Sequence, residues 1–314
     1  MTEERITITP HLWFDREARE AAERYCSLFP DGHIRSVTTL RDTPSGDCDV
    51  VSFSLAGQPF MAISAGPLFR FNPSVSFIVN HDPSRDGEAR AHLDALWDAL
   101  ADGGLVRMPL DAYPFSPRYG WVEDRYGVNW QLILSDPEGE PRPSIVPALL
   151  FTGEVTGKAE EAGAFYRSVF PGSRPGRLLR WPAGMEPERE GTVMYSDFRL
   201  GETWFAAMDS AEDHGFGFNE AISFVVPCAS QEEIDRYWAA LSAVPEAEAC
   251  GWCKDRYGLS WQIAPAAMDA MMACGDQAKI DRLTQAFLPM KKLDLAALQA
   301  AFEGEGAPVR PDLG

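Results

Sequence analysis

Six cysteines and five histidines are the side chains most able to bind metal or attack a carbon, and their spacing argues against both. Cys250-Gly-Trp-Cys253 has the separation of a redox pair or of half a zinc site. A redox cysteine of that type sits at a helix N-terminus, where the dipole lowers its pKa. This pair falls in a run that reads as strand. Zinc needs further ligands, which Cys228 or Cys274 would have to bring by folding. The pair therefore reads as two strand thiols. His11, His33, His81, His92 and His214 show no HxH or HExxH spacing. No GxGxG follows a strand-like run, and Gly103-Gly104 ends a helix, so a doubly wound nucleotide or S-adenosylmethionine site is disfavoured. Neutral hydrogen-bonding groups remain. Strand alternation puts Asn129, Gln131 and Ile133 on one face and Val128, Trp130 and Leu132 on the other; Ser260 and Gln262 pair in the same way.

Those residues belong to a duplicated pattern. Gly120-Trp-Val-Glu-Asp-Arg-Tyr-Gly-Val-Asn-Trp-Gln-Leu-Ile133 returns as Gly251-Trp-Cys-Lys-Asp-Arg-Tyr-Gly-Leu-Ser-Trp-Gln-Ile-Ala264, with eight of 14 positions identical. Phe71-Asn-Pro-Ser matches Phe218-Asn-Glu-Ala, and Ala18 to Pro30 matches Ala159 to Pro171, in the same order. The chain thus divides into a first copy over 1–135, a linker over 136–144 rich in Pro and acidic residues, a second copy over 145–264, and a tail over 265–314. The Asp-Arg-Tyr-Gly segments at 124–127 and 255–258 read as turns into the last strand, ending in a glycine suited to a left-handed conformation.

Periodicity sets the elements. Ile6 to Phe14 reads as a strand, with Asp15 able to cap an amphipathic helix from Arg16 to Leu28. Strands follow near 33–40, 50–55 and 59–64, then a second strand–helix–three-strand unit over 74–134. The second copy repeats the order, which predicts four βαβββ units. In the tail, Asp276 and Asp294 can cap helices, and Ile280, Leu283 and Phe287 at helical spacing predict docking on a domain. The segment from Glu305 reads as frayed.

Composition fits such a protein. There are 28 Lys and Arg against 47 Asp and Glu, a net charge of −19 that repels phosphate backbones and disfavours nucleic acid as a partner. No apolar run is long enough to span a bilayer, and the polar start, Met1 to Arg5, does not read as a signal peptide. A cytoplasmic protein without a membrane partner is expected.

Paired βαβββ units, the helix motif Tyr-x-Ser-x-Phe-Pro and the Trp-x-x-Asp-Arg-Tyr-Gly-x-x-Trp-Gln motif resemble the vicinal-oxygen-chelate superfamily of glyoxalases, bleomycin-resistance proteins and dioxygenases. More narrowly they are similar to its PhnB-like branch, often labelled 3-demethylubiquinone-9 3-methyltransferase-like. The resemblance implies an α+β fold of tandem glyoxalase-like domains, each an open half-barrel of two units around a cavity, followed by the helical tail. It also implies a divalent metal in catalytic members, held from the first, fifth and last strands. Registering by the first helix places Pro10 and Pro147 at the first position, with His11 on the other face; the fifth strand offers Ser74 or Ala221, and the last Gln131 and Gln262.

A neutral amide is a poor ligand for zinc or iron. The expectation is accordingly a metal-free and cofactor-free small-molecule-binding protein, its pockets lined by Asn129, Gln131, Tyr113, Trp121, Met61, Ser260, Gln262 and Trp252 and suited to a neutral or weakly polar ligand. Phe60, Trp204 and Phe205 are further wall candidates. The alternative is a divergent enzyme of the superfamily, a metal-dependent lyase or dioxygenase, or a metal-free one using Gln131 or Tyr113. The two copies should pack together as an intramolecular pseudo-dimer, because the linker makes association intramolecular.

Overall fold

A computed structural model describes residues 6–136 and 138–305. The expectations for Met1 to Arg5 and for the chain beyond Glu305 lie outside the described residues. The first copy runs β1 (Thr9–Phe14), α1 (Ala18–Leu28), β2 (His33–Thr43), β3 (Gly46–Leu55), β4 (Gln58–Ser64), β5 (Val75–His81), α2 (Ala89–Ala101), β6 (Leu105–Tyr113), β7 (Ser116–Glu123) and β8 (Asn129–Leu134). The second runs β9 (Ile145–Phe151), α3 (Ala159–Val169), β10 (Arg174–Arg180), β11 (Val193–Leu200), β12 (Thr203–Asp209), β13 (Ile222–Cys228), α4 (Gln231–Leu241), β14 (Trp252–Lys254) and β15 (Ser260–Pro265). The tail holds α5 (Ala267–Met272), α6 (Gln277–Phe287) and α7 (Leu295–Glu303). Among the described residues no helix is long and apolar enough to cross a membrane.

The fold class is the expected one, but the units combine across the copies. A seven-stranded sheet has the order β14-β15-β13-β1-β4-β3-β2, and an eight-stranded sheet the order β10-β11-β12-β9-β5-β8-β7-β6. Each sheet therefore joins the first unit of one copy to the second unit of the other, through the antiparallel pairs β1–β13 and β5–β9. The implied wrapping of each copy on itself does not occur, because the connection from β4 to β5 and that from β12 to β13 both cross between the sheets. These crossovers brace one another: the Asn72 amide donates to the Gly217 carbonyl at 3.0 Å, and the Asn219 amide to the Arg70 carbonyl at 2.8 Å. The repeated Phe-Asn pair in the sequence is this reciprocal contact.

The fourth unit is one strand short. Where the first copy has β6, the second has the single turn Pro245–Ala247 and an isolated bridge. Only nine residues separate Leu241 from Gly251, against 18 between Ala101 and Gly120, too few for the extra strand, and the tail takes the vacant edge: the Cys250 and Gly251 amides donate to the carbonyls of Met290 and Lys291 at 2.6 and 2.7 Å. Helix α1 also departs from expectation at its start. Asp15 does not cap it; the Ala18 amide donates instead to the Ser64 hydroxyl at 3.2 Å. Asp276 and Asp294 cap α6 and α7 as the sequence predicts.

One face of each sheet packs on helices. Leu12, Phe14, Phe53 and Phe60 share a core with Ala18, Ala21, Ala22 and Tyr25 of α1, and that core continues through Phe77, Phe205 and Phe224. Phe60 meets Phe77 at 5.2 Å and Phe205 meets Phe224 at 5.0 Å, so the helix-bearing faces of the two sheets interlock. Phe60 and Phe205 are thus core residues, not pocket walls. The opposite faces, called pocket faces below, carry the candidate site residues.

Candidate functional site

Both copies anchor the last strand in the same way. The Asp124 carboxylate accepts from the Tyr25 hydroxyl at 2.7 Å, the Trp130 indole at 2.8 Å and the amides of Tyr126 and Val128. Asp255 accepts from Tyr166, Trp261 and the amides of Tyr257 and Leu259. Burial pushes both carboxyl pKa values up, and the four donors oppose it. Gly127 and Gly258 turn the chain with φ of +91° and +86°, so these segments are turns, as read from the sequence. The buried tyrosine, aspartate and tryptophan hold the strands that carry Gln131 and Gln262.

On the eight-stranded sheet Gln131 is buried between two partners. Its amide donates to the Ser76 hydroxyl at 2.8 Å, and its oxygen accepts from the Tyr119 hydroxyl at 2.7 Å. Trp121 lies opposite Gln131 in the ladder and donates its indole N–H to Asn129 at 3.1 Å. Tyr113 meets Tyr119 edge-on at 5.5 Å. Beside this polar chain lies an apolar floor of Ile78, Val146, Ala148, Ala206 and Trp204, flanked by Ile133, Tyr195 and Met208.

The seven-stranded sheet carries the equivalent set. Gln262 donates to the Ser223 hydroxyl at 2.9 Å and lies opposite Trp252 in the ladder. Ser260 is cross-strand from Ser223, which is cross-strand from His11, which neighbours Met61. Met61 is therefore separated from Trp121 and Tyr113, since the first copy's fourth strand belongs to the other sheet. Tyr119 has Cys250 as its counterpart, and the Cys250 thiol donates instead to the Leu288 carbonyl of the tail at 3.1 Å. Cys250 packs with the tail and Cys253 with the main core, so the two thiols do not form a pair. Burial raises both, Cys253 to about 12.

The first-strand position needs correction. Pro10 pairs with the core residue Phe224, whereas His11 pairs with Ser223 on the pocket face and meets Trp252 edge-on at 5.5 Å. A one-residue shift exchanges faces; the imidazole occupies the implied ligand position in one sheet, and Ala148, cross-strand from Ser76, occupies it in the other. The fifth-strand residues are Ser223 and Ser76, two positions beyond those expected and on the same face. The donor sets do not fit a divalent metal: one imidazole, a hydroxyl and an amide in the first, and no imidazole or carboxylate in the second. Among the described residues no three His, Cys, Asp or Glu side chains group as metal ligands.

His11 is 4% exposed, and its Nδ1 has no hydrogen-bond partner among the described residues. Burial lowers its pKa from 6.5 to about 3. The folded imidazole stays neutral while the unfolded one protonates below pH 6.5, so its effect on stability is complete above that pH and turns unfavourable as pH falls towards 3. Between neutrality and about pH 5 the wild type should lose about 2 kcal/mol more than the variant His11→Phe. Paired denaturant titrations at the two pH values measure this difference; equal losses would refute it.

The tail covers part of the seven-stranded pocket face. Ile280, Leu283, Phe287, Leu293, Leu298 and Phe302 cluster with Leu40 and Cys48 and pack on Trp13, Val50 and Ile63. The Thr38 hydroxyl donates to the Met272 carbonyl, and the Gln277 amide to the Thr39 carbonyl, both at 3.0 Å. No helix residue belongs to the apolar cluster on the eight-stranded pocket face. Two surface depressions lie away from the candidate residues. One of about 470 Å³ is bounded by loops at Thr156, Arg189 and 211–217, and one of about 280 Å³ by β2 and the α5–α6 junction.

Residues 6–133 and 143–264 each match the family described as 3-demethylubiquinone-9 3-methyltransferase. The chain belongs to that family. A protein described as "Putative 3-demethylubiquinone-9 3-methyltransferase, PhnB protein, from Bacillus cereus" is 34% identical over 40% of this chain and 98% of its own, with a TM-score of 0.36. A Staphylococcus aureus protein is 30% identical over 41% and 97%, with a TM-score of 0.17. Both span nearly their whole length on less than half of this chain. Glyoxalase I from Zea mays is 10% identical over 86% of this chain and 98% of its own at a TM-score of 0.50, a likeness of fold alone. No curated protein matches the chain. Within the 3-demethylubiquinone-9 3-methyltransferase family, this chain is thus a tandem member of glyoxalase-like fold.

Proposed function

We propose that the chain is a small-molecule-binding protein that holds its ligand, without a metal, on the pocket face of the eight-stranded sheet. The observation that carries this reading is the buried chain Tyr119–Gln131–Ser76 beside an apolar floor that strand residues alone build. An amide fixed from both sides keeps one N–H and one lone pair for a ligand, while the floor supplies apolar contact. Asn129 and Trp121 border Gln131 on one side along the strands, and Tyr113, against Tyr119, lies on the other. Met61, Ser260, Gln262 and Trp252 belong to the other sheet, where the tail occupies part of the face and binding is secondary. The two copies act as one intramolecular pseudo-dimer, since neither sheet is complete without both.

Phenylnaphthylamine, a neutral aromatic dye, tests this. Titration of the purified chain should give saturable binding at one site, and Ala148→Phe, which fills the floor, should abolish it. Such overpacking costs about 1–3 kcal/mol, within the stability of a folded domain. Absence of saturable binding both of this dye and of its anionic relative anilinonaphthalene sulfonate, or binding that survives the substitution, would reject the proposal. The enzyme reading gains support from one feature, the neutral imidazole of His11 with its free Nδ1.

A further inference from the structure

We infer that the ligand of the eight-stranded pocket face carries an oxyanion, a carboxylate, phosphate or sulfonate, bound at a corner where Arg142 and Arg174 lie over Trp204 and Arg177 and Arg199 stand on the two adjoining strands. The inference rests on the binding role proposed above and changes the ligand class from neutral to anionic.

The corner is assembled from three separate parts of the chain. The linker contributes Arg142, whose guanidinium lies 4.0 Å from the Trp204 ring centroid. Strand β10 contributes Arg174, at 4.7 Å from the same centroid. Arg199 of β11 is cross-strand from both Arg174 and Trp204, which puts the two arginine side chains on one face of the sheet, and its guanidinium reaches the Gly172 carbonyl at 3.5 Å. Like charges in that position are unfavourable unless something neutralises them.

A bulge adds the fourth. The β10–β11 register shifts between Pro175 and Leu178, and the Arg177 amide donates to Asp197 Oδ1 at 2.6 Å. A Cβ on residue 176 would lie 1.9 Å from that oxygen, so only glycine permits this closure. Bulges of this kind re-aim a side chain, and they are common beside functional sites.

The internal neutralisation is incomplete. Arg142 pairs with Asp197 at 2.8 Å and with Glu140 at 3.1 Å, and Arg174 pairs with Glu140 at 2.9 Å. Four cations thus share two carboxylates. Among the described residues neither Arg177 nor Arg199 has a carboxylate within ion-pair distance, and Arg199 Nε is buried without an acceptor. In a chain of net charge −19, an uncompensated cationic corner is a local reversal of sign. An oxyanion supplies what is missing, since guanidinium forks match carboxylate and phosphate oxygens.

The corner adjoins the proposed pocket, because Trp204 is part of the apolar floor. From β12 to β8 there are three strand spacings, about 14 Å. A ligand reaching from the arginines to Gln131 has that length, with an apolar body over Val146 and Ile78.

The test compares anilinonaphthalene sulfonate with phenylnaphthylamine, which has the same ring system without the anion. The wild type should bind the sulfonate at least tenfold more tightly, and added salt should narrow the gap. Arg199→Gln and Arg177→Gln should each weaken the sulfonate about tenfold and leave the neutral dye unchanged. Arg16→Gln, on the exposed segment after β1 of the seven-stranded sheet, should change neither. Equal affinity for the two dyes, or arginine variants that affect both dyes alike or neither, would overturn the inference while leaving the binding role standing. If neither dye binds the wild type, the binding role itself fails and the inference falls with it. Circular dichroism melting of each variant identifies unfolding, and two independent arginines keep the test decisive if one variant is unstable.

Discussion

Replacing Asp124 with alanine is expected to cost about 3–5 kcal/mol of folding stability, and replacing Asp255 the same. Each carboxylate accepts four buried donors: a tyrosine hydroxyl from the first helix of its copy, an indole from the last strand, and two turn amides. Alanine leaves all four without acceptors where water does not readily reach them, and the desolvation already spent on Tyr25 or Trp130 is not recovered. Tyr25 and Tyr166 are among the largest fully buried side chains, so they have no solvent route to an alternative partner. The internal symmetry makes the expectation sharp, because the two substitutions should agree within about 1 kcal/mol. Denaturant midpoints with unchanged m-values would measure it. A loss below about 1 kcal/mol at either site would show that the carboxylate is dispensable. With typical domain stabilities of about 5–15 kcal/mol, the double variant should not fold at ordinary temperature.

Leu283→Ala should cost about 2–5 kcal/mol, chiefly by releasing the tail. Leu283 is fully buried between α6 and the pocket face of the seven-stranded sheet. Its loss removes contacts at the centre of a small cluster that depends on six tail side chains, with little else to hold α6 and α7. Hydrogen exchange should accelerate over 277–303 and in the opposing residues Val50 and Ile63, while the eight-stranded sheet keeps its protection. Uniform acceleration across both sheets would mean that the tail and the sheets unfold as one cooperative unit, contrary to this expectation.

The duplicated pattern was legible because identity and periodicity are local properties. Trp121 and Trp252 stand opposite Gln131 and Gln262 in matching registers, as the repeated motif implies. Asn129, Gln131, Ser260 and Gln262 face as alternation predicts. A position counted from a neighbouring element is less secure: the distance from the first helix puts Pro10 where His11 stands, and one residue is enough to exchange the faces of a strand. Strand partnership was hidden for a different reason. Nothing in Thr9–Phe14 or Ile222–Cys228 encodes which copy's sheet each will join, because that choice is made by crossover loops and by the burial of both sheets together. The amphipathic stripe of Gln277–Phe287 announced that it would dock, yet an apolar stripe does not name the surface it covers. The arginine corner required three segments to meet, and each segment alone reads as an ordinary charged surface.

The exchange of units between the sheets bears on how such a gene can evolve after duplication. Ordinarily a doubled domain is free to specialise, one half retaining an ancestral role while the other drifts. Here no half owns a whole sheet face: the face with Gln131 includes Ala148 from the second copy, and the face with Gln262 includes His11 from the first. A change in one copy's last strand alters one pocket, and a change in its first strand alters the other. Divergence therefore proceeds by pocket rather than by repeat. The expected trace of that process is a mosaic, with changes in each repeat divided between the two sheet faces that it helps to build.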